Sequence, residues 1–208
     1  MAPKVSFNPE RLGFYEKAGW EAYYDRDWPR VLRLMVRLNR EQFRMPWPTA
    51  VAAALDTVRA SVAFAPRDND LPETKRHLER FYHKARRSVD MRADAATLAA
   101  LELDYWLVHR ELAARRKVNR ADDDIEPMVR SLANLHAALF DSTPERMRVS
   151  AELRALAAVA VDRITGRYSE DVAADWRRVE ALLAQAYRAV LLALDRAPTP
   201  GAERAAHS

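Results

Sequence analysis

Apolar residues recur along this chain at intervals of three and four, the spacing that puts them on one face of an α-helix. The last long segment is the plainest case, with Val172, Trp176, Val179, Leu183, Tyr187, Val190 and Leu194 forming a single stripe from Ser169 to about Arg196. Elsewhere Leu98, Leu101, Tyr105, Val108 and Leu112 define a stripe, as do Ile125, Val129, Leu132, Leu139 and Phe140. No stretch alternates with the period of two that a half-buried strand requires.

Breaks in this pattern fall at recognisable capping sequences. Asn8-Pro9-Glu10 opens an aromatic first helix that ends near Asp25, and Asp27 with Pro29 opens the second. Met45-Pro-Trp-Pro48 ends that helix; a third, rich in alanine and valine, spans about Thr49 to Ala65. A fourth begins at Leu71-Pro72-Glu73 with Asp70 as its cap and reaches about Val89. The fifth covers Asp94 to about Arg116, and a polar linker from Lys117 to Asp123 is the expected mobile loop. The sixth runs from about Asp124 to Phe140, and the seventh from Thr143-Pro144-Glu145 to Gly166, whose glycine suits a helix end. The expectation is an all-α single domain over 1–196, a bundle or orthogonal array of seven to eight helices, with a disordered tail over 197–208.

Composition narrows the function classes. Among 208 residues there is no cysteine, which excludes disulfides, thiolate metal sites and cysteine nucleophiles. Four glycines are few for a fold built on tight turns. Val51 to Ala65 is the most apolar stretch, but Asp56 and Arg59 interrupt it and it is too short to span a bilayer. The first residues, MAPKVSFNPERLG, contain no apolar run of signal-peptide type, so a cytoplasmic location is expected. Residues 1–120 carry a net charge of +7 and residues 121–208 a net charge of −3. That asymmetry suits an anionic partner, or an acidic surface on another copy of the chain.

Two kinds of candidate site follow. The first is a candidate anion-binding face. Arg30, Arg33, Arg37, Arg40 and Arg44 line one side of the second helix, opposite Trp28, Val31, Leu32, Met35, Leu38 and Phe43. On the fourth helix Arg76, Arg80 and Arg87 repeat the pattern, with His83 beside them. Rows of this kind can follow a phosphate backbone. Neither helix carries interleaved exposed aromatics, and the chain has no glycine-rich phosphate loop, so a solvated face is the simpler reading. His77 and His83 are read as solvated in the same way.

The second is a set of polar residues inside apolar stripes. Glu102 and His109 fall in or beside the stripe of the fifth helix, about 10.5 Å apart along its axis, with Tyr105 between them. His136 interrupts the sixth helix, and Asn39 and Gln42 interrupt the second. Polar groups turned towards a core need partners, water or a ligand. These six are the candidate polar pocket, if their helices are neighbours. The simpler reading gives each a structural partner, for Glu102 an arginine such as Arg59 or Arg154.

The Glu102–x6–His109 spacing is similar to that on one helix of the haem-oxygenase-like di-metal oxidases. The likeness covers a single helix, and the additional histidine-rich ligand helix is missing, so no ligand is carried over. The Glu-x-x-His of ferritin-like di-metal proteins is also absent. Asp122-Asp-Asp-Ile-Glu126 resembles the aspartate-rich box of prenyl-transferring enzymes, but Pro127 follows it and helix capping accounts for it better. No metal site is assigned, no cofactor is implied, and no Gly-x-Ser-x-Gly marks a hydrolase. Whether the chain is an enzyme is left open. The leading expectation is a soluble all-α interaction protein that associates with itself. The alternatives are an enzyme or a metal- or small-ligand-binding protein using the pocket around Glu102, His109 and His136, and a nucleic-acid binder using the arginine rows.

Overall fold

A computed structural model of the chain describes residues 6–120 and 122–195. Among these residues there are eight helices and no strand. They are α1 (Pro9–Tyr24), α2 (Trp28–Phe43), α3 (Trp47–Phe64), α4 (Leu71–Ser88), α5 (Ala95–Val118), α6 (Glu126–Phe140), α7 (Pro144–Thr165) and α8 (Val172–Asp195). The tail expected over 197–208 lies outside the described residues.

Local chemistry explains most of the boundaries. Side chains of Asn8, Asp27, Asp70, Asp94 and Thr143 each accept a hydrogen bond from the backbone N–H three residues on, satisfying donors that the first turn leaves open. Proline sits at the start of six helices, where its missing N–H costs nothing. α3 begins at Trp47, earlier than Thr49, because Pro48 is accommodated in its first turn. Gly166 does not supply the left-handed residue expected after α7. Its φ is −76°, and Arg167 takes the positive φ of 59°. A Cβ on Gly166 would meet the Tyr168 ring at 2.4 Å, so close approach is what requires glycine there. The polar linker is also shorter than expected, since Lys117 and Val118 belong to α5.

Each helix packs against the one before and the one after it, and α8 packs against α1, which closes a ring. Neighbours run in opposite directions. Between α1 and α2, Arg11 pairs with Glu41 at one end while Tyr23 meets Trp28 at the other. Between α1 and α8, Glu10 pairs with Arg188 and Lys17 with Glu180. At this closing seam Gly13 lets the two backbones touch, since a Cβ there would lie 2.8 Å from the Ala184 nitrogen.

One end of the ring is plugged. Phe7, just before α1, is buried against Phe140 and Tyr187, with centroids 6.1 and 5.6 Å apart, and Leu12, Ala137, Met147 and Val190 complete this cluster. A larger cluster from α2 to α5, including Phe43, Leu78, Tyr82 and Leu98, fills one side. Between them a cavity remains.

Candidate functional site

The cavity has a volume of about 1090 Å³ and takes lining side chains from all eight helices. Its exposed lining residues are Tyr24, Trp28, Ala65, Arg67, Ala114, Lys117, Val118 and Thr165. They cluster at the C-terminal ends of α1, α3, α5 and α7 and the start of α2, so the mouth is at the end opposite the plug. Trp28, read from the sequence as part of the apolar side of α2, is 43% exposed at this rim; Leu34 and Val36 are among the residues buried instead.

Glu102, Tyr105, His109, His136, Asn39 and Gln42 all line this one cavity. Glu102 accepts hydrogen bonds from the Tyr82 hydroxyl and the Trp106 indole N–H, both at 2.8 Å. It forms an ion pair with neither Arg59, which is exposed, nor Arg154, so the arginine partner expected for it is absent. Burial holds its carboxyl above the ordinary value, while the charge of Arg154 and the two donors pull the other way.

Arg154 instead takes Glu16, from α1, in a two-pronged ion pair, and the Tyr187 hydroxyl donates to the same carboxylate at 2.8 Å. Burial alone would lower the Arg154 pKa, but the Glu16 carboxylate and the Tyr187 and Tyr105 phenols raise it well above its usual value. This guanidinium acts on Glu102, Tyr105 and His136 together. His136 is buried, with its Nδ1 3.0 Å from the Ser150 hydroxyl. Burial first and the Arg154 charge second lower its pKa to about 3, so the ring is neutral at pH 7.

Nearer the mouth, His109 Nε2 lies 3.0 Å from Asp162 Oδ1, and Arg116 donates to the other oxygen at 3.0 Å. Tyr105 stacks flat on the His109 ring, with centroids 5.9 Å apart and 5° between planes. Arg110 stacks over Phe64 at 3.7 Å and donates to the Phe64 and Pro66 carbonyls. Asn39 is 2% exposed, and its Nδ2 has no hydrogen-bond partner among the described residues.

Glu16 and Asp162 are principal site residues with no role expected from the sequence, and Arg154 was expected only as a partner for Glu102. Each interrupts a buried row, as Glu102 does: Glu16 between Leu12 and Gly19, Arg154 beside Ala151 and Ala155, Asp162 beside Ala158 and Val161. The signal was present but faint, because those rows are built from alanine and glycine.

The arginine rows lie outside this site. Arg30, Arg33, Arg37, Arg40 and Arg44 are all exposed. Arg40 lies over the Trp47 ring, Arg44 donates to the Ser6 carbonyl, and Arg30 is 4.0 Å from Glu21. On α4, Arg76 pairs with Glu73 at 2.5 Å and Arg80 with Asp56 at 3.2 Å, while Arg87 is exposed. His77, expected to be solvated, is buried between Glu73 and Asp56, because the 1% exposed Asp56 of α3 draws that side of α4 inward. His83 is exposed. In the acidic run, Asp122 accepts from Arg115 at 3.0 Å, and the Asp124 carbonyl accepts from Arg116. No group of three or more histidine, aspartate or glutamate side chains is placed to hold a metal among the described residues, and no helix there is long and apolar enough to cross a membrane.

The fold and site define a ring of eight antiparallel helices around a partly polar lumen. Comparison with known protein families, curated proteins and solved structures finds no match for the chain.

Proposed function

We propose that the protein binds a small organic molecule inside the ring. One observation carries this reading: a cavity of about 1090 Å³, lined from every helix, into which polar side chains project where a filled core would hold apolar ones. Ligand pockets commonly span about 300–1,000 Å³, with apolar walls and a few placed polar groups. Trp20, Tyr23, Phe64 and Trp106 supply such walls here; Glu102, His109 and Asn39 supply the polar points. Asn39 Nδ2, a buried donor with no partner among the described residues, lines the lumen, which favours an enclosed ligand over the self-associating and nucleic-acid-binding roles.

A second reading makes the lumen catalytic. Asp162 engages Nε2 of His109, which leaves Nδ1 to exchange a proton with a bound molecule. In this arrangement Asp162 is a positioning residue and His109 the candidate general base.

Native mass spectrometry of gently purified protein is expected to show a bound molecule of small mass that denaturation releases. Filling the lumen by Ala158→Phe should abolish that adduct while the far-ultraviolet circular dichroism stays helical. A folded wild-type protein that carries no adduct, and whose melting temperature no member of a broad metabolite collection shifts, would overturn the reading.

A further inference from the structure

The charges lining the lumen do not pair off evenly. Three carboxylates line it: Glu16, Asp162 and Glu102. Glu16 is matched by Arg154, and Asp162 by Arg116 and His109. Among the described residues Glu102 has no cationic group within ion-pair distance, and its two hydrogen-bond donors, Tyr82 and Trp106, are both neutral. Each of its oxygens accepts one of these bonds and keeps a lone pair for another. Arg154 is the nearest counterweight, but its guanidinium is committed to Glu16 through two nitrogens. The unmatched charge in the deep lumen is therefore negative.

We infer that the ligand carries a protonated amine, which Glu102 neutralises within a box of aromatic rings. This rests on the ligand-binding reading above and specifies its chemistry. The two rings that donate to Glu102 flank the carboxylate, Tyr105 follows it by three residues on α5, where it stacks on His109, and Tyr23 and Trp20 line the same cavity, the Trp20 ring lying under the Arg154 guanidinium at 5.9 Å. Ring faces attract an ammonium group through their quadrupole, so these walls suit a cation. Among the described residues an anionic ligand has no free cation to meet at this depth. Lys117 and Arg67 lie at the rim, and Arg110 is capped by backbone carbonyls. Burial raises the Glu102 pKa, as expected of a carboxyl without a charged partner, and an ammonium ligand supplies that partner.

The test compares three matched probes, 2-phenylethylamine, 2-phenylethanol and 3-phenylpropionate, at millimolar concentration, by calorimetry and by thermal shift. The amine is expected to bind and to raise the melting temperature, with the alcohol and the acid weaker by roughly 30-fold, the cost of leaving a buried charge without its partner. Glu102→Gln should lose the preference for the amine. The wild-type contrast needs no variant, so the test stands even if Glu102→Gln folds poorly. Equal binding of all three probes, or an amine preference that survives Glu102→Gln, overturns the amine assignment and leaves lumen binding intact. No binding by any probe overturns the amine assignment. Lumen binding itself falls only if native mass spectrometry is also blank.

Discussion

Replacing Glu16 by glutamine tests the electrostatic centre of the ring. Glu16 is 5% exposed and accepts from both terminal nitrogens of Arg154 and from the Tyr187 hydroxyl. Glutamine keeps the shape and removes the charge, so Arg154 is left inside the protein facing a neutral amide. Breaking one side of a buried ion pair costs about 3–5 kcal/mol. The Arg154 side chain is 17% exposed, and water in the lumen can solvate part of it, so the lower end of about 3 kcal/mol applies. In a chain of this length each kcal/mol moves the melting temperature by about 2–4 °C, giving a fall of about 6–12 °C. Replacing both partners, Glu16→Leu with Arg154→Met, removes the stranded charge together with its penalty. That double variant should lie within about 1–2 kcal/mol of wild type, the remaining loss coming from the Tyr187 hydroxyl left without an acceptor. Urea unfolding of wild type, Glu16→Leu, Arg154→Met and the double variant closes the cycle, provided the m-value stays constant. Single variants that each cost less than about 1 kcal/mol, or a double variant as damaged as the sum of the singles, would refute a buried coupled pair.

Gly13→Ala places a methyl group against the Ala184 backbone, 2.8 Å from its nitrogen. The seam between α1 and α8 must open, and thermal unfolding should show a loss of about 1–3 kcal/mol despite the better helix propensity of alanine; an unchanged or raised melting temperature would contradict the close approach. His136 should make the protein less stable in acid. Its folded pKa is depressed to about 3 by burial, while an unfolded histidine titrates near 6.5, so between these values the unfolded chain holds the extra proton. Stability should then fall as pH drops through that window, by up to about 1.4 kcal/mol per pH unit from this group. Glu102, whose pKa burial raises, works in the opposite sense just above pH 4.5, so the reading is the difference between wild type and His136→Asn in urea midpoint against pH. Parallel curves would show that the imidazole is not held neutral. Arg33 and Arg37 are exposed and make no ion pair among the described residues, so reversing both to glutamate should change unfolding stability by less than about 0.5 kcal/mol. A larger loss would give this row a structural task.

The helices were legible because their signals are local. A cap such as Asp70 and a proline such as Pro72 act on donors within one turn, and no other part of the chain needs to be known. Ring closure is different: α1 meets α8 through Glu10 and Arg188, residues 178 positions apart, and nothing near either one encodes the contact. His77 was assigned to solvent because α4 carries so many charges on that side; the buried Asp56, one helix earlier, overrides that pattern. Glu102, His109 and His136 stood out against strong apolar neighbours. Glu16, Arg154 and Asp162 sit among alanine and glycine, where a polar residue offers little contrast in sequence although it projects into the same space.

Ring geometry explains why polar interruptions from separate helices meet. Packed helices lie about 8–10 Å apart, so eight in a regular ring have their axes about 12 Å from the centre. A helix with its side chains reaches about 5–6 Å from its axis, which leaves a core roughly 12 Å across that one layer of side chains does not fill. The apolar cluster that includes Phe43 and Leu98 takes up part of that space, and the cavity is what remains. Each helix in such a ring has two seams, an outer face and an inner face. Small residues serve the seams, as Gly13 and Ala184 do, and the inner face is free to carry groups too polar for a seam. A residue such as Glu102, beside the apolar stripe but not at its centre, is therefore directed to the lumen by its position on the wheel. In a four-helix bundle the same residue would meet a packed core and be expelled or paired. Here it meets open space, and the unmatched charge of Glu102 is tolerable only where water or a cationic ligand can reach it.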